Sequence, residues 1–185
     1  MPAVVRPCRP AAIQLPKTRN PMMITATIAD YIAASEIRVL PESVREAAID
    51  HIIDTFAAII SGSTLEAGPG AIAFVRELSG REQATVIGTD IVASAESAAL
   101  ANGMFGHADE SDDSHGSSVT HPGCSVIPAA LAIGEVQGSS GAAFLRAVVT
   151  GYDVGTRVAA ATSWSNITIA RSAAFLARRL RPLPC

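Results

Sequence analysis

The sequence predicts an all-α domain with at most one short β-hairpin, and three observations carry that expectation. Apolar residues recur at helical spacing through the body of the chain from Thr25 onward. Residues that start and stop helices fall at the ends of those stretches. A β-branched run broken by turn residues occurs at one place, A-T-V-I-G-T-D-I-V from Ala84 to Val92.

Taken in order, Thr27 with Asp30 resembles a capping box opening a short helix through Ile32 and Ala33. Ser43 with Glu46, after Pro41, opens a longer one ending near Ser61-Gly62. On its wheel Glu42, Glu46, Asp50 and Asp54 form a wet stripe opposite Val44, Ala48, Ile49, Ile52, Ile53, Phe56 and Ile60. His51 falls at the edge of the polar face and reads as a solvated surface histidine. A third helix runs from about Pro69 to Leu78, and the runs around Gly88-Thr89-Asp90 read as a small hairpin or an extended connection. Ser94 caps a helix whose Ala95, Ala98, Ala99, Ala101, Gly103 and Gly106 permit close backbone approach and which delivers His107 at its C-terminal end. A helix from about Ser125 to Gly138 tolerates Pro128 in its first turn, and a last one covers Ala142 to about Ala161.

The chain has 185 residues, 49% of them hydrophobic, enough for one packed domain. No uninterrupted apolar stretch approaches the roughly 18 residues needed to span a bilayer, so no membrane role is expected. Cys8, Cys124 and Cys185 are scattered and odd in number, which fits no disulfide framework and predicts a cytoplasmic location.

Charge divides the chain into three. Residues 1–23 carry four basic groups, five of the eleven prolines and no acid, and read as a disordered basic extension with Met22 or Met23 as a plausible start. Residues 158–185 carry four arginines and again no acid. The middle holds all seventeen acids and only six arginines. The expected division is 1–23 extension, 24–160 helical domain, 161–185 divergent basic tail. One tryptophan and no interleaved aromatics give the basic ends no nucleic-acid signature.

Chemistry concentrates between His107 and Pro122, H-A-D-E-S-D-D-S-H-G-S-S-V-T-H-P, with three of the four histidines, four acids and no Lys or Arg. Histidines near their usual pKa of about 6.5 exchange protons at neutral pH, which makes His107, His115 and His121 acid/base candidates. Asp109, Glu110, Asp112 and Asp113 can orient those imidazoles, and Ser114 and Thr120 can donate to an oxygen-rich substrate. The helix N-terminus after His121-Pro122-Gly123 favours an anion such as a substrate carboxylate. Other readings stay open: a divalent-metal site, though no H-E-x-x-H, His-x-His or EF-hand spacing occurs; a Cys124 nucleophile; a partner-binding acidic loop; or a solvated loop without function.

The runs A-L-A-N-G-M-F-G-H-A-D-E-S-D-D-S-H from Ala99 and T-H-P-G-C-S-V-I-P-A-A-L-A from Thr120 resemble the MmgE/PrpD family. So do T-I-A-D-Y-I from Thr27, A-T-V-I-G from Ala84 and G-Y-D-V-G-T-R from Gly151. The resemblance implies the helical part of a cofactor-independent, usually homodimeric enzyme with no bound metal. Such enzymes act on di- or tricarboxylates, as 2-methylcitrate dehydratase, cis-aconitate decarboxylase and iminodisuccinate epimerase do. It places Glu110, Ser114 and His121 as catalytic, with Glu110 where aspartate is frequent, while His107, Asp113, His115 and Thr120 of the same window are expected to bind the substrate. Family members are more than twice as long, with a further histidine and lysines downstream. After Arg157 this chain has no histidine, lysine or acid. The expectation is a reading frame lost or a gene truncated between Ala161 and Arg171, leaving a chain weak or inactive alone, or a non-catalytic dimerising remnant.

Overall fold

The computed structural model describes residues 23–78, 80–108 and 110–161. Six helices and one hairpin follow in order: α1 Ile24–Ser35, α2 Glu42–Gly62, α3 Ala67–Glu77, β1 Ala84–Thr85, β2 Val92–Ala93, α4 Ala95–His107, α5 Gly123–Gln137 and α6 Gly141–Ala161. The domain is mainly helical as expected. The N-terminal extension, the tail beyond 161 and Asp109 lie outside the described residues.

Both expected capping boxes fail. The Met23 carbonyl accepts from the amides of Ala26 and Thr27, so α1 begins upstream of Thr27. The Pro41 carbonyl likewise accepts from Val44 and Arg45, which puts Ser43 inside the first turn of α2. There Glu42, favoured by the positive helix end, is held by Arg45 at 2.6 Å. Ser94 does cap α4, accepting from the Ser97 amide, and Gly138 ends α5 in a left-handed turn at φ 60°.

The wheel drawn for α2 needs turning. Its buried line is Ala48, Thr55, Ala58, Ile59 and Gly62, whereas Ile53 and Ile60 are 61% and 56% exposed. Gly62 explains the shift: a Cβ there would lie on the Phe105 carbonyl of α4, so the two helices cross where only glycine fits. The Gly62 edge faces the core, and the isoleucines are carried round to the outside.

α4 is the central helix, packed on α2, α3 and α5, while α5 also touches α6 and α1 rests on α6. Ile59, Ala71, Val75, Val86, Ala98, Ala101, Phe105 and Ala132 form the core, and each large side chain among them stabilises by about 1.5–3 kcal/mol. The small residues of α4 act as expected. Pro128 lies in the second turn of α5, not the first, and cannot donate to the Cys124 carbonyl. That carbonyl faces α4, 2.9 Å from where a Cβ on Gly103 would sit.

The hairpin pairs Ala84 with Ala93 and Thr85 with Val92, turning through Gly88 at φ 78°. Asn102, buried in α4, grips it: Oδ1 accepts the Ile87 amide and Nδ2 donates to the Thr85 carbonyl, both at 2.9 Å. Tyr31 joins α1 to α6 by donating to Asp153 at 2.6 Å. Among the described residues no single helix is long and apolar enough to cross a membrane.

Candidate active site

The C-terminal end of α4, the loop from 108 to 122 and the N-terminal end of α5 bring His107, Asp112, His121 and Cys124 together. Asp112 is their centre. Its side chain is 0% exposed, and no Lys or Arg among the described residues pairs with it. A carboxylate buried so fully needs compensating partners. One partner is the His107 ring, with Nδ1 at 3.2 Å, and the other is His121, with Nδ1 at 3.4 Å from the second oxygen. The two rings meet edge to face at 5.1 Å. Both imidazoles thus turn Nδ1 toward the carboxylate, His107 within hydrogen-bond distance and His121 close by without completing a hydrogen bond.

A second cluster adjoins the first. Asp113 Oδ1 accepts the Gly123 amide at 2.8 Å, and Oδ2 lies 3.3 Å from His51 Nδ1. The leading amide of α5, expected to be free for a substrate anion, is therefore taken by the chain's own carboxylate. Thr55 and Tyr152 crowd the same point: a Cβ on Gly123 would lie 2.5 Å from Asp113 Oδ1 and Thr55 Oγ1 and 3.0 Å from the Tyr152 oxygen. Neither hydroxyl completes a hydrogen bond of good geometry among the described residues. Burial, and then the charge of Asp113, hold the Tyr152 phenol well above its ordinary range. Beside His51 and Tyr152 a cavity of about 540 Å³ opens between α1, α2 and α6, with Arg38 on its wall.

The remaining sequence candidates lie apart from Asp112. His115 and Thr120 form an isolated β-bridge, and the Ser118 hydroxyl joins the His115 Nδ1 and Thr120 Oγ1, both at 2.7 Å. These side chains satisfy one another. Ser114 and Glu110 are exposed, without a side-chain hydrogen bond among the described residues. Glu110 holds a left-handed backbone at φ 55°, as does Val119 at φ 49°. Backbone outliers of this kind gather at functional loops.

The reading of Cys124 as a nucleophile does not survive. Burial, and next the neighbouring Asp112, push its thiol up to about 12, so no thiolate forms at neutral pH. The sequence also undervalued His51, which is half exposed but paired to Asp113 and 5.5 Å from the Tyr152 ring. Its signal was available only as spacing: His51 lies one turn before the buried Thr55.

The fold is thus a mainly helical domain that sets two imidazoles against a buried carboxylate between two helix ends. The chain belongs to the MmgE/PrpD family, matching its N-terminal domain over residues 26–176. That match reaches into the segment read as a divergent tail. The chain is also similar to the cis-aconitate decarboxylase-like protein oryM of Aspergillus oryzae (strain ATCC 42149 / RIB 40), 28% identical over 145 residues. The matched region covers 75% of this chain and 30% of that protein, so the chain spans under a third of its relative. No solved structure matches the chain.

Proposed function

We propose that this chain supplies the acid–base wall of an active site that acts on a di- or tricarboxylate. The observation that carries the reading is the placement of His107 and His121 on the two oxygens of buried Asp112. Dehydration, decarboxylation and epimerisation beside a carboxylate share one requirement: a proton leaves or joins the carbon, or departs with the leaving group, while charge builds on the neighbouring carboxylate. His121, which faces Asp112 through Nδ1, uses Nε2 for that transfer, and His107 is its alternate. Glu110 and Ser114 complete the set that the family resemblance implies. Proton transfer alone asks for no cofactor.

The substrate's negative charge needs cations, and the 107–122 window has none. Arg38, on the wall of the cavity beside His51, is one candidate, although it is held 4.9 Å over the Tyr31 ring. The chain alone is therefore weakly active or inactive, and it works in the cytoplasm as part of a homodimeric or larger assembly. The test is turnover of methylcitrate, cis-aconitate and iminodisuccinate by the purified chain, with His-ring NMR signals followed as each is added. Trace turnover, or substrate-dependent shifts of His107 and His121 that vanish in His121→Ala, supports the reading. Robust turnover refutes weakness alone, and turnover or shifts unchanged by His121→Ala refute the acid–base assignment.

A second reading, a helical remnant that only dimerises, draws on Ile53, Ile60, Leu100 and Met104, all exposed on α2 and α4. Sedimentation separates the two: a dimer that binds none of the three acids favours the remnant.

A further inference from the structure

Val44, Ala47, Ala48 and His51 recur at i, i+3, i+4 and i+7 and so share one face of α2. That face lines the cavity of about 540 Å³, with Val149, Tyr152, Asp153 and Thr156 of α6 and with Tyr31 and Ser35 of α1. Between Val44 and His51 the helix rises roughly 10 Å, which makes the cavity a slot along α2. None of His107, Asp112 and His121 lines it.

The charges around this slot are unevenly matched. Asp153 is taken by the Tyr31 hydroxyl and by Arg157, both at 2.6 Å, and Glu42, in the first turn of α2, is taken by Arg45. Arg38 pairs with no acid among the described residues; it donates to the Tyr31 oxygen at 3.3 Å and lies over that ring. Its remaining N–H groups form a fork that matches a carboxylate. Pro41 and Ser43 bring the N-terminus of α2, which has no side-chain cap, to the same cavity, and with it the positive end of the helix dipole. The wall beyond is mainly apolar, with Leu40, Val44, Ala48, Val148 and Val149. A second carboxylate on a ligand would be desolvated there without a partner. Small-molecule sites commonly take this form, an apolar cleft of about 300–1,000 Å³ with a few polar groups that fix orientation.

We propose that the slot binds one small monocarboxylate with a hydrocarbon body. The carboxylate sits on Arg38 at the start of α2, and the chain runs between α2 and α6 toward the His51 and Tyr152 rings, which stand 5.5 Å apart. No bond is made or broken. The proposal does not rest on the polycarboxylate reading, because its ligand carries a single charge and the imidazoles on Asp112 take no part.

The experiment titrates octanoate into the full chain by calorimetry, with octanol and octylamine as comparators, and follows the Val44 and Val149 methyl signals by NMR. One equivalent of octanoate is expected to bind at least about 10-fold more tightly than either comparator. Arg38→Ala should abolish that preference and Arg38→Lys retain part of it. Ala47→Trp fills the slot from an exposed position and, at parental melting temperature, should weaken octanoate by more than about 10-fold. Excess methylcitrate should leave octanoate in place. Absence of both heat and methyl shifts, equal affinity for octanol, or a preference that survives Arg38→Ala overturns the proposal. So does displacement by methylcitrate, which would give Arg38 to a polycarboxylate and leave the His121 assignment untouched. If Ala47→Trp fails to fold, Arg38→Ala decides the matter alone.

Discussion

Asp113 Oδ1 accepts the Gly123 amide at 2.8 Å, and through that bond the loop closes its own carboxylate over the N-terminus of α5. The contact holds the 107–122 window in place, because the same carboxylate reaches His51 on α2. Asp113→Ala leaves a buried N–H without a partner and is expected to destabilise by about 1–3 kcal/mol. Gly123→Ala forces a methyl against Asp113 and Thr55 and is expected to cost about 1–3 kcal/mol as well. Urea unfolding measures both, and either variant at parental stability would show that the closure does not form.

Asn102 is the second structural bond to test. With Asn102→Ala the Ile87 amide and the Thr85 carbonyl lose their partner inside the domain. The expected loss is about 1–3 kcal/mol. Amide exchange distinguishes this from general damage: Ile87 should lose protection first, while Ile59 and Phe105 in the core keep theirs.

The Cys124 thiol makes stability depend on alkaline pH. Its value rises from 9.0 in the unfolded chain to about 12 in the fold, with burial the main cause and Asp112 the next. A group raised on folding contributes stability that is fully present below its unfolded value. Between about 9 and 12 the unfolded chain loses the thiol proton and the folded chain keeps it, so that stability is lost as pH rises. Urea midpoints from pH 8 upward should fall more steeply in the parent than in Cys124→Ala. Equal slopes would contradict the buried, protonated thiol.

Asp153 gives the opposite dependence. Burial would raise its carboxyl, but hydrogen bonds from Tyr31 and Arg157 outweigh that and hold it below its ordinary value of 3.8. Its stabilisation is present above the unfolded value and is lost as pH falls through the lower folded one. Asp153→Asn should therefore flatten the acid limb of the stability profile below about pH 4 and loosen α1, which has no buried residue of its own. An unchanged acid limb would mean that the Tyr31 contact does not persist in solution.

Much of the fold could be read from residues in order. The helix from Ser94 to His107 was legible because a serine cap, a run of small residues and a terminal histidine are all local signals. The hairpin was legible for the same reason. Both early capping boxes misled, since a carbonyl one turn upstream can start a helix with no side chain to announce it.

By itself, the sequence determined which residues could do chemistry: a window of histidines and acids placed between two helices, and a helical body around it. Tertiary structure alone decided how they are used. Crossing α2 against α4 at Gly62 set which face of α2 is buried and brought His51 and Thr55 to the start of α5. Packing buried Asp112 between His107 and His121, turned Asp113 inward as a cap, and left His115 and Thr120 bonded through Ser118. The physical reason is that adjacent aspartates are alike in sequence, whereas their burial and partners come from chain segments some five to sixty residues away.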